Sequence, residues 1–399
     1  MNIFTTWHTL TSLAPDVITN FSMARPTSSK NPLGWASHPL FGADLKTLWT
    51  VYRRSGGIKP SRRLLFILII LAAIGRLPFS AIEAILVQIK RRKQPEIPPV
   101  FILGHWRSGT THLYNVMSKA ERFGYVTPFS AAIPWDMLVI ERLFAPLLRK
   151  GLPDSRYIDN VKVESDSPQE DELALANMTD LSYYHAIYFP EQFDNYFNQG
   201  TFFDGVSPSQ IERWEKTLKY LYLKFSLHQN TEQLLIKNPV YTARPAHLQQ
   251  MFPQAKFIHI HRHPYKIFVS MRNYFEKLLP QLALQDYDHL DIDKVIFKTY
   301  RQMMINLKAQ TKDLPPEQYA EIGFEQFQAD PMGELSRIYT QLNLGDFESD
   351  RPAFNTYLDS IMSYKKNEFS LPDELISKID ENWSDLYADW GYVAYNPSA

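Results

Sequence analysis

The chain has 399 residues and no cysteine, which excludes disulfides, thiolate zinc sites and thiol nucleophiles. That absence fits a reducing compartment and is equally compatible with export. Charge of either sign is not in excess: the net charge is −1, so the overall balance offers nothing to nucleic acid, and any anion site has to be local. There is no internal repeat and no low-complexity tract. The stretch Met1 to Pro15 lacks the basic start and long apolar run of a secretory signal, and the expected location is the cytoplasm.

Apolar residues make up 45% of the chain, enough for a sizeable core. Their longest run, LLFILIILAAIG from Leu64 to Gly75, would make a helix of about 18 Å at roughly 1.5 Å per residue, short of the about 30 Å of a bilayer core. Arg76, Pro78 and Glu83 interrupt the apolar pattern after Gly75, and Lys90-Arg91-Arg92-Lys93 closes it. Two readings are open for residues 62–93. One is a buried helix with a second helix covering it. The other is a helical hairpin in a membrane interface, its basic ends on anionic lipid and the protein peripheral on the inner face. Residues 1–95 are expected to form an N-terminal helical, membrane-facing region, and residues 96–399 a catalytic domain.

Beyond Pro98-Pro99 the pattern alternates. Val100–Leu103, Gln233–Ile236, Lys256–His261 and the shorter Tyr319–Ile322 read as strands, with helical patterns between them. Alternation of this kind implies an α/β fold, a central parallel sheet flanked by helices in three layers.

The chemistry starts after the first strand. Gly104-His105-Trp106-Arg107-Ser108-Gly109-Thr110-Thr111 links strand to helix, the layout of an anion cradle in which glycines let the backbone approach and free N–H groups point at the ligand. The GxxxxG spacing is that of a Walker A loop, but Thr110-Thr111 stands where lysine and serine or threonine belong. Without that lysine an ATP- and Mg²⁺-dependent phosphotransferase becomes the runner-up, beside a non-catalytic nucleotide-binding protein at a membrane. The cation of this loop is Arg107 instead.

A second strand, Lys256–His261, ends in Arg262-His263-Pro264, with Ser270 on the next helix. An arginine fork and a hydroxyl suit a phosphate. His259, His261 and His263 alternate and share a strand face. Zinc is one reading of them and ordinary hydrogen-bonded histidines the other.

The segment FILGHWRSGTTHL resembles the phosphosulfate loop of sulfotransferases that use PAPS (3′-phosphoadenosine-5′-phosphosulfate), in a bacterial branch of that family. The family's commonest loop has lysine in place of Arg107. The resemblance covers roughly residues 98–395 and implies a P-loop-like fold with PAPS as co-substrate, PAP as product and no metal. It implies that Arg107, Ser108, Gly109, Thr110 and Thr111 hold the 5′-phosphosulfate. Arg262 and Ser270 would hold the 3′-phosphate.

Lys237, at the end of the Gln233 strand, resembles the family lysine that contacts the transferring group. The catalytic histidine of the cytosolic enzymes would fall two residues later, where this chain has Pro239. The base therefore comes from elsewhere. Ser167-Pro168-Gln169-Glu170-Asp171-Glu172 resembles a P-x-E-D-E segment of the bacterial branch. Glu170 is the first candidate, with Asp171 and Glu172 open, against a plain reading of the segment as a solvated helix start. Lys365-Lys366 resembles the basic loop that closes over the 3′-phosphate, a solvated lysine pair being the other reading, and Glu325 to Pro331 resembles a structural segment. The aromatic span Tyr183 to Phe197 reads as core, or as the wall of an apolar acceptor pocket. The acceptor is an alcohol, a lipid among the possibilities.

Overall fold

Four apolar residues in a row, Val100–Leu103, suit a strand buried on both faces, and in the computed structural model they form β1 at the centre of a five-stranded parallel sheet. The structure describes residues 38–90, 98–148, 167–231, 233–361 and 372–392. The remaining strands in chain order are β2 (Phe123–Gly124), β3 (Gln233–Lys237), β4 (Lys256–His261) and β5 (Tyr319–Gly323). Their order across the sheet is β2-β3-β1-β4-β5. Sequence reading found all but β2, whose two residues are too few to show a period.

The helices in chain order are α1 (Leu45–Ser55), α2 (Arg63–Lys90), α3 (Thr110–Met117), α4 (Pro128–Ala132), α5 (Met137–Leu148), α6 (Asp171–Ala176), α7 (Tyr184–Tyr188) and α8 (Phe193–Phe202). They continue with α9 (Pro208–Gln229), α10 (Pro245–Met251), α11 (Pro264–Leu282), α12 (Ile292–Thr311), α13 (Phe324–Ala329), α14 (Pro331–Leu342), α15 (Phe347–Ser360) and α16 (Asp373–Tyr387).

Alternation along the strands divides the core into two layers. Phe101 and Leu103 of β1 face one cluster with Leu234, Ile236 and Phe257, while Val100 and Ile102 face the other with Leu235, Ile258 and Ile260. The second cluster is closed by α3, α13, α14 and α15. The first is closed by the larger set, including α9, α11, α12 and α16. This is the expected three-layer α/β arrangement.

Residues 38–90 also pack on the first cluster, through Leu40, Leu48, Val51, Phe66 and Ile69. The structure corrects the reading of residues 62–93 as two helices parted near Pro78: α2 is a single helix of 28 residues with Pro78 inside it. Proline removes one backbone donor and crowds the preceding turn. Here the turn is supported both from within the helix and from outside. Ser80 Oγ donates to the Arg76 carbonyl at 3.2 Å, and Arg76 Nη1 donates to both oxygens of Asp136 at 3.1 Å. At about 1.5 Å per residue α2 is roughly 42 Å long. By length and composition it could cross a membrane, which the twelve-residue apolar run alone could not.

Candidate active site

At the end of β1 the chain turns through three residues with positive φ: Gly104 at 149°, Arg107 at 71° and Gly109 at 101°. A Cβ on Gly104 would lie 2.5 Å from the Ile260 carbonyl oxygen, and one on Gly109 would lie 2.1 Å from the Phe324 ring. Both positions therefore require glycine. Arg107 has no such freedom, and a left-handed arginine persists only where its surroundings hold it. Its Nε donates to Ser270 Oγ at 2.7 Å, and its carbonyl accepts from Arg262 Nη1 at 3.2 Å. The loop's first amide, Gly104 N, donates to Thr242 Oγ1 at 2.7 Å.

The two halves of the expected donor site thus meet at one sheet edge. β1 and β4 are parallel neighbours, paired from Val100 with Lys256 to Leu103 with His259, so Arg107 and Arg262 leave the same ends of adjacent strands. Arg262 stacks 4.5 Å from the centre of the Phe324 ring. Burial lowers its pKa, Glu325 opposes that, and Arg107 adds to it. Ser108 Oγ and Arg262 Nε are buried and have no hydrogen-bond partner among the described residues. Two orphaned donors beside a glycine cradle fit the oxygens of a phosphorylated ligand. Thr110 and Thr111 open α3 in the same cradle.

The end of β3 lies on the other side of β1, with Lys237 paired in register with Ile102. Its Nζ is 2.5 Å from Glu170 Oε1, and the two side chains are 2% and 13% exposed. Glu170 occupies the N-cap position of α6 but its side chain makes no capping hydrogen bond. The next two acids face inward and are fully buried, which overturns the reading of this segment as a solvated helix start. Asp171 accepts from Tyr222 at 2.8 Å, Tyr241 at 2.5 Å and Asn238 at 2.9 Å. Glu172 accepts from Ser182 Oγ at 2.6 Å, the Tyr183 amide at 3.2 Å and Asn238 at 2.9 Å. Burial, reinforced by the charge of Glu172, pushes Asp171 up to about 7 against the pull of its three donors. Burial also raises Glu172, and Arg244 draws it back.

The aromatic span from Tyr183 is core, as its fully buried Ile187, Tyr188 and Phe189 show. Its first residue also reaches the site. Tyr183 OH hydrogen-bonds Tyr274 OH, and Tyr274 lies one turn beyond Ser270 on α11. Burial and the charge of Glu170 both raise the Tyr274 pKa. Trp106 packs 5.0 Å from Tyr183, and these residues with Phe197 wall a small cavity.

The histidines of β4 have protein partners: His259 Nδ1 is 2.9 Å from Glu321 of β5, and His261 Nδ1 is 2.9 Å from Tyr392 OH. The carboxylate that the local sequence lacks comes from the neighbouring strand. Burial, with His259 adding, pushes His261 down to about 3. Glu325 and Asp330 fall in the structural segment expected of them, Asp330 capping α14 by accepting from Gly333 N at 2.9 Å. Lys365 and Lys366 lie outside the described residues.

The sequence pattern described as the Sulfotransferase family matches residues 98–349, from the residues leading into β1 to the start of α15. The chain belongs to the sulfotransferase family. The sulfotransferase is 33% identical over 305 residues to the omega-hydroxy-beta-dihydromenaquinone-9 sulfotransferase Stf3 of Mycobacterium bovis, covering 75% of this chain and 76% of that one. The same figures hold for Stf3 of Mycobacterium tuberculosis. Among solved structures it resembles sulfotransferase STF9 of Mycobacterium avium, with TM-score 0.63 and 17% identity over 87% of this chain and 96% of that chain. STF1 of Mycobacterium tuberculosis gives TM-score 0.59 and 16% identity over 86% and 91%. The fold is therefore the P-loop-like sulfotransferase fold, and the enzyme transfers a sulfuryl group from PAPS to an acceptor hydroxyl.

Several residues of this sulfotransferase site escaped the sequence reading. Thr242 and Phe324 sit on segments with no motif of their own, and Asn238 lies inside the Lys237 segment without a role assigned to it. Tyr274 was hidden in an ordinary helical pattern. The only signal for any of them is position: Asn238 directly follows a strand-end lysine, and Phe324 directly follows β5.

Proposed function

We propose that Glu170 is the general base of this sulfotransferase and that Lys237 and Arg107 carry the charge of transfer. The observation that supports this most is the contact between Lys237 and Glu170 at the end of β3, one strand away from the phosphate loop. In the proposed step Glu170 takes the proton of the acceptor hydroxyl as its oxygen bonds to sulfur. The bond from sulfur to the bridging oxygen breaks, and PAP leaves with the charge that Arg107 and Lys237 neutralise. In this proposal the two cations carry the charge that metal ions neutralise in phosphoryl transfer. Arg107, Ser108, Gly109, Thr110 and Thr111 cradle the 5′ end of the donor, and Arg262 and Ser270 its 3′-phosphate. Asp171 and Glu172 are occupied by structural donors, which favours Glu170 over both.

The name of the Stf3 relatives supports a hydroxylated lipid as the acceptor. In this reading residues 1–95 form the membrane-facing part, with contact through 62–93 on the cytoplasmic face, and residues 96–399 carry the donor chemistry.

Radiolabel transfer from PAPS into a lipid extract, with titration of PAP and ATP, tests the proposal. PAP should bind without added metal and ATP poorly. Arg107→Ala and Lys237→Ala should each lower turnover by on the order of 100-fold, since one such donor contributes about 2.7–4 kcal/mol to the transition state. Glu170→Gln should retain PAP binding and lose transfer. Normal turnover in Glu170→Gln would place the base elsewhere.

A further inference from the structure

The apolar surface of this protein is concentrated on one element. Of the large apolar side chains exposed among the described residues, nine lie on α2, two on α1 and two elsewhere. Leu64, Ile67, Leu71, Ile74, Ile85 and Ile89 follow one another along the outer side of α2 and are 48–69% exposed. The opposite side, with Phe66, Ile69, Ala73, Glu83 and Val87, is buried against the rest of the protein. On α1, Trp49 and Tyr52 are also exposed, and Tyr52 stacks on Phe66 of α2 at 5.5 Å. An aromatic pair at the end of an apolar stripe is the arrangement favoured where hydrocarbon meets headgroups.

Charge selects among the occupants. Both ends of the stripe are cationic. Arg62 and Arg63 stand at the start, beside a Lys59 that is paired with Asp286 at 3.2 Å, and Lys90, continued in sequence by Arg91-Arg92-Lys93, stands at the finish. The charged residues between them, Arg76 and Glu83, turn inward. A second copy paired on this stripe by two-fold symmetry, parallel or antiparallel, sets cation against cation. The segment Met1–Ser37 offers one Asp against one Arg and one Lys, so it brings no anionic complement either. An anionic lipid surface matches both ends at once.

The inner face decides orientation. Glu83 Oε1 lies 2.5 Å from Lys224 Nζ of α9, both side chains fully buried, and Arg76 is paired with Asp136. A helix drawn across the bilayer would strip these charges from their partners.

We infer that α2 is an in-plane docking helix, seated half-submerged in the headgroup region of an anionic bilayer with its ion-paired face kept on the protein. This deepens the proposed membrane-facing reading and rests on it. A lipid-borne acceptor would then be met from the surface on which it lies.

Flotation of the full-length protein with vesicles tests this. The vesicles are phosphatidylcholine alone, or phosphatidylcholine with about one-third phosphatidylglycerol. The protein should float with the second. The exposed-face double variant Leu71→Asp/Ile85→Asp should lose at least about tenfold of that binding, with PAP affinity and melting temperature unchanged. Because the chain has no cysteine, Leu71→Cys and Ile85→Cys can each carry a single depth-sensitive probe. The two sites are about 21 Å apart along the axis, and equal shallow depths are expected. Absence of flotation, flotation indifferent to the aspartates, or unequal probe depths would overturn the inference. A dimer broken by the same aspartates, seen in sedimentation without vesicles, would assign the stripe to a second copy. Loss of PAP binding in any preparation would count against the donor site alone.

Discussion

Glu170, Asp171 and Glu172 are consecutive acids with different surroundings, and the difference comes from where α6 begins. Glu170 stands at the N-cap position and reaches Lys237, whereas Asp171 and Glu172 point into the core and share Asn238. Sequence could nominate the triplet but not choose within it, because the choice depends on tyrosines and an asparagine some 50–70 positions away. Asp171 also carries a prediction. Its carboxyl is raised from 3.8 to about 7 on folding, so the folded state binds the extra proton. The stability this contributes is fully present below pH 3.8 and is lost as pH rises through about 7. The melting temperature should therefore fall between pH 5.5 and 8.5, and Asp171→Asn should flatten that slope. Equal slopes in both proteins, monitored by thermal denaturation, would reject the assignment.

Two elements show how far local sequence reaches. The proposed phosphate loop was legible because its glycines, hydroxyls and arginine are contiguous and lie between a strand and a helix. Its requirement for Gly109 has a tertiary cause, the Phe324 ring pressed against it. Gly109→Ala should abolish PAP binding while the protein still folds, measured by calorimetry alongside circular dichroism. For α2 the local signals misled. Proline and two charges argued for a break, and packing against Asp136 and Lys224 overrode them. Burial pushes Glu83 up and Lys224 down, each opposed by the charge of the other. Lys224→Met should thus destabilise the fold by about 3–5 kcal/mol, by leaving a buried carboxylate unpaired. Glu83→Gln/Lys224→Met should recover most of that in denaturant melts. If the double variant is as unstable as the single one, the pair is not the cause.

At the scale of the whole molecule, the proposed donor site joins β1, β4 and the helices next to them in the chain, so ligand and fold should be linked. PAP at about 100 times its Kd should stabilise the protein by about 2.7 kcal/mol, seen as a raised melting temperature. Arg262→Ala should erase most of that rise, whereas Lys237→Ala, at the end of β3 beside Glu170, should keep it. A shift retained in full by Arg262→Ala would remove that residue from the donor site.

The sequence by itself determined the α/β class, the strands β1, β3, β4 and β5, the family and the strand-loop-helix layout of Gly104–Thr111. Each of these depends on contiguous residues whose geometry is local: an apolar run, a glycine-bounded turn, an arginine at a strand end. Only the tertiary structure decided that Arg107 and Arg262 touch, that Glu170 rather than its neighbours meets Lys237, and that α2 runs unbroken with its apolar side outward. Those outcomes depend on which strands lie side by side and which faces are buried, and contacts between residues so far apart in sequence leave no local mark on the chain.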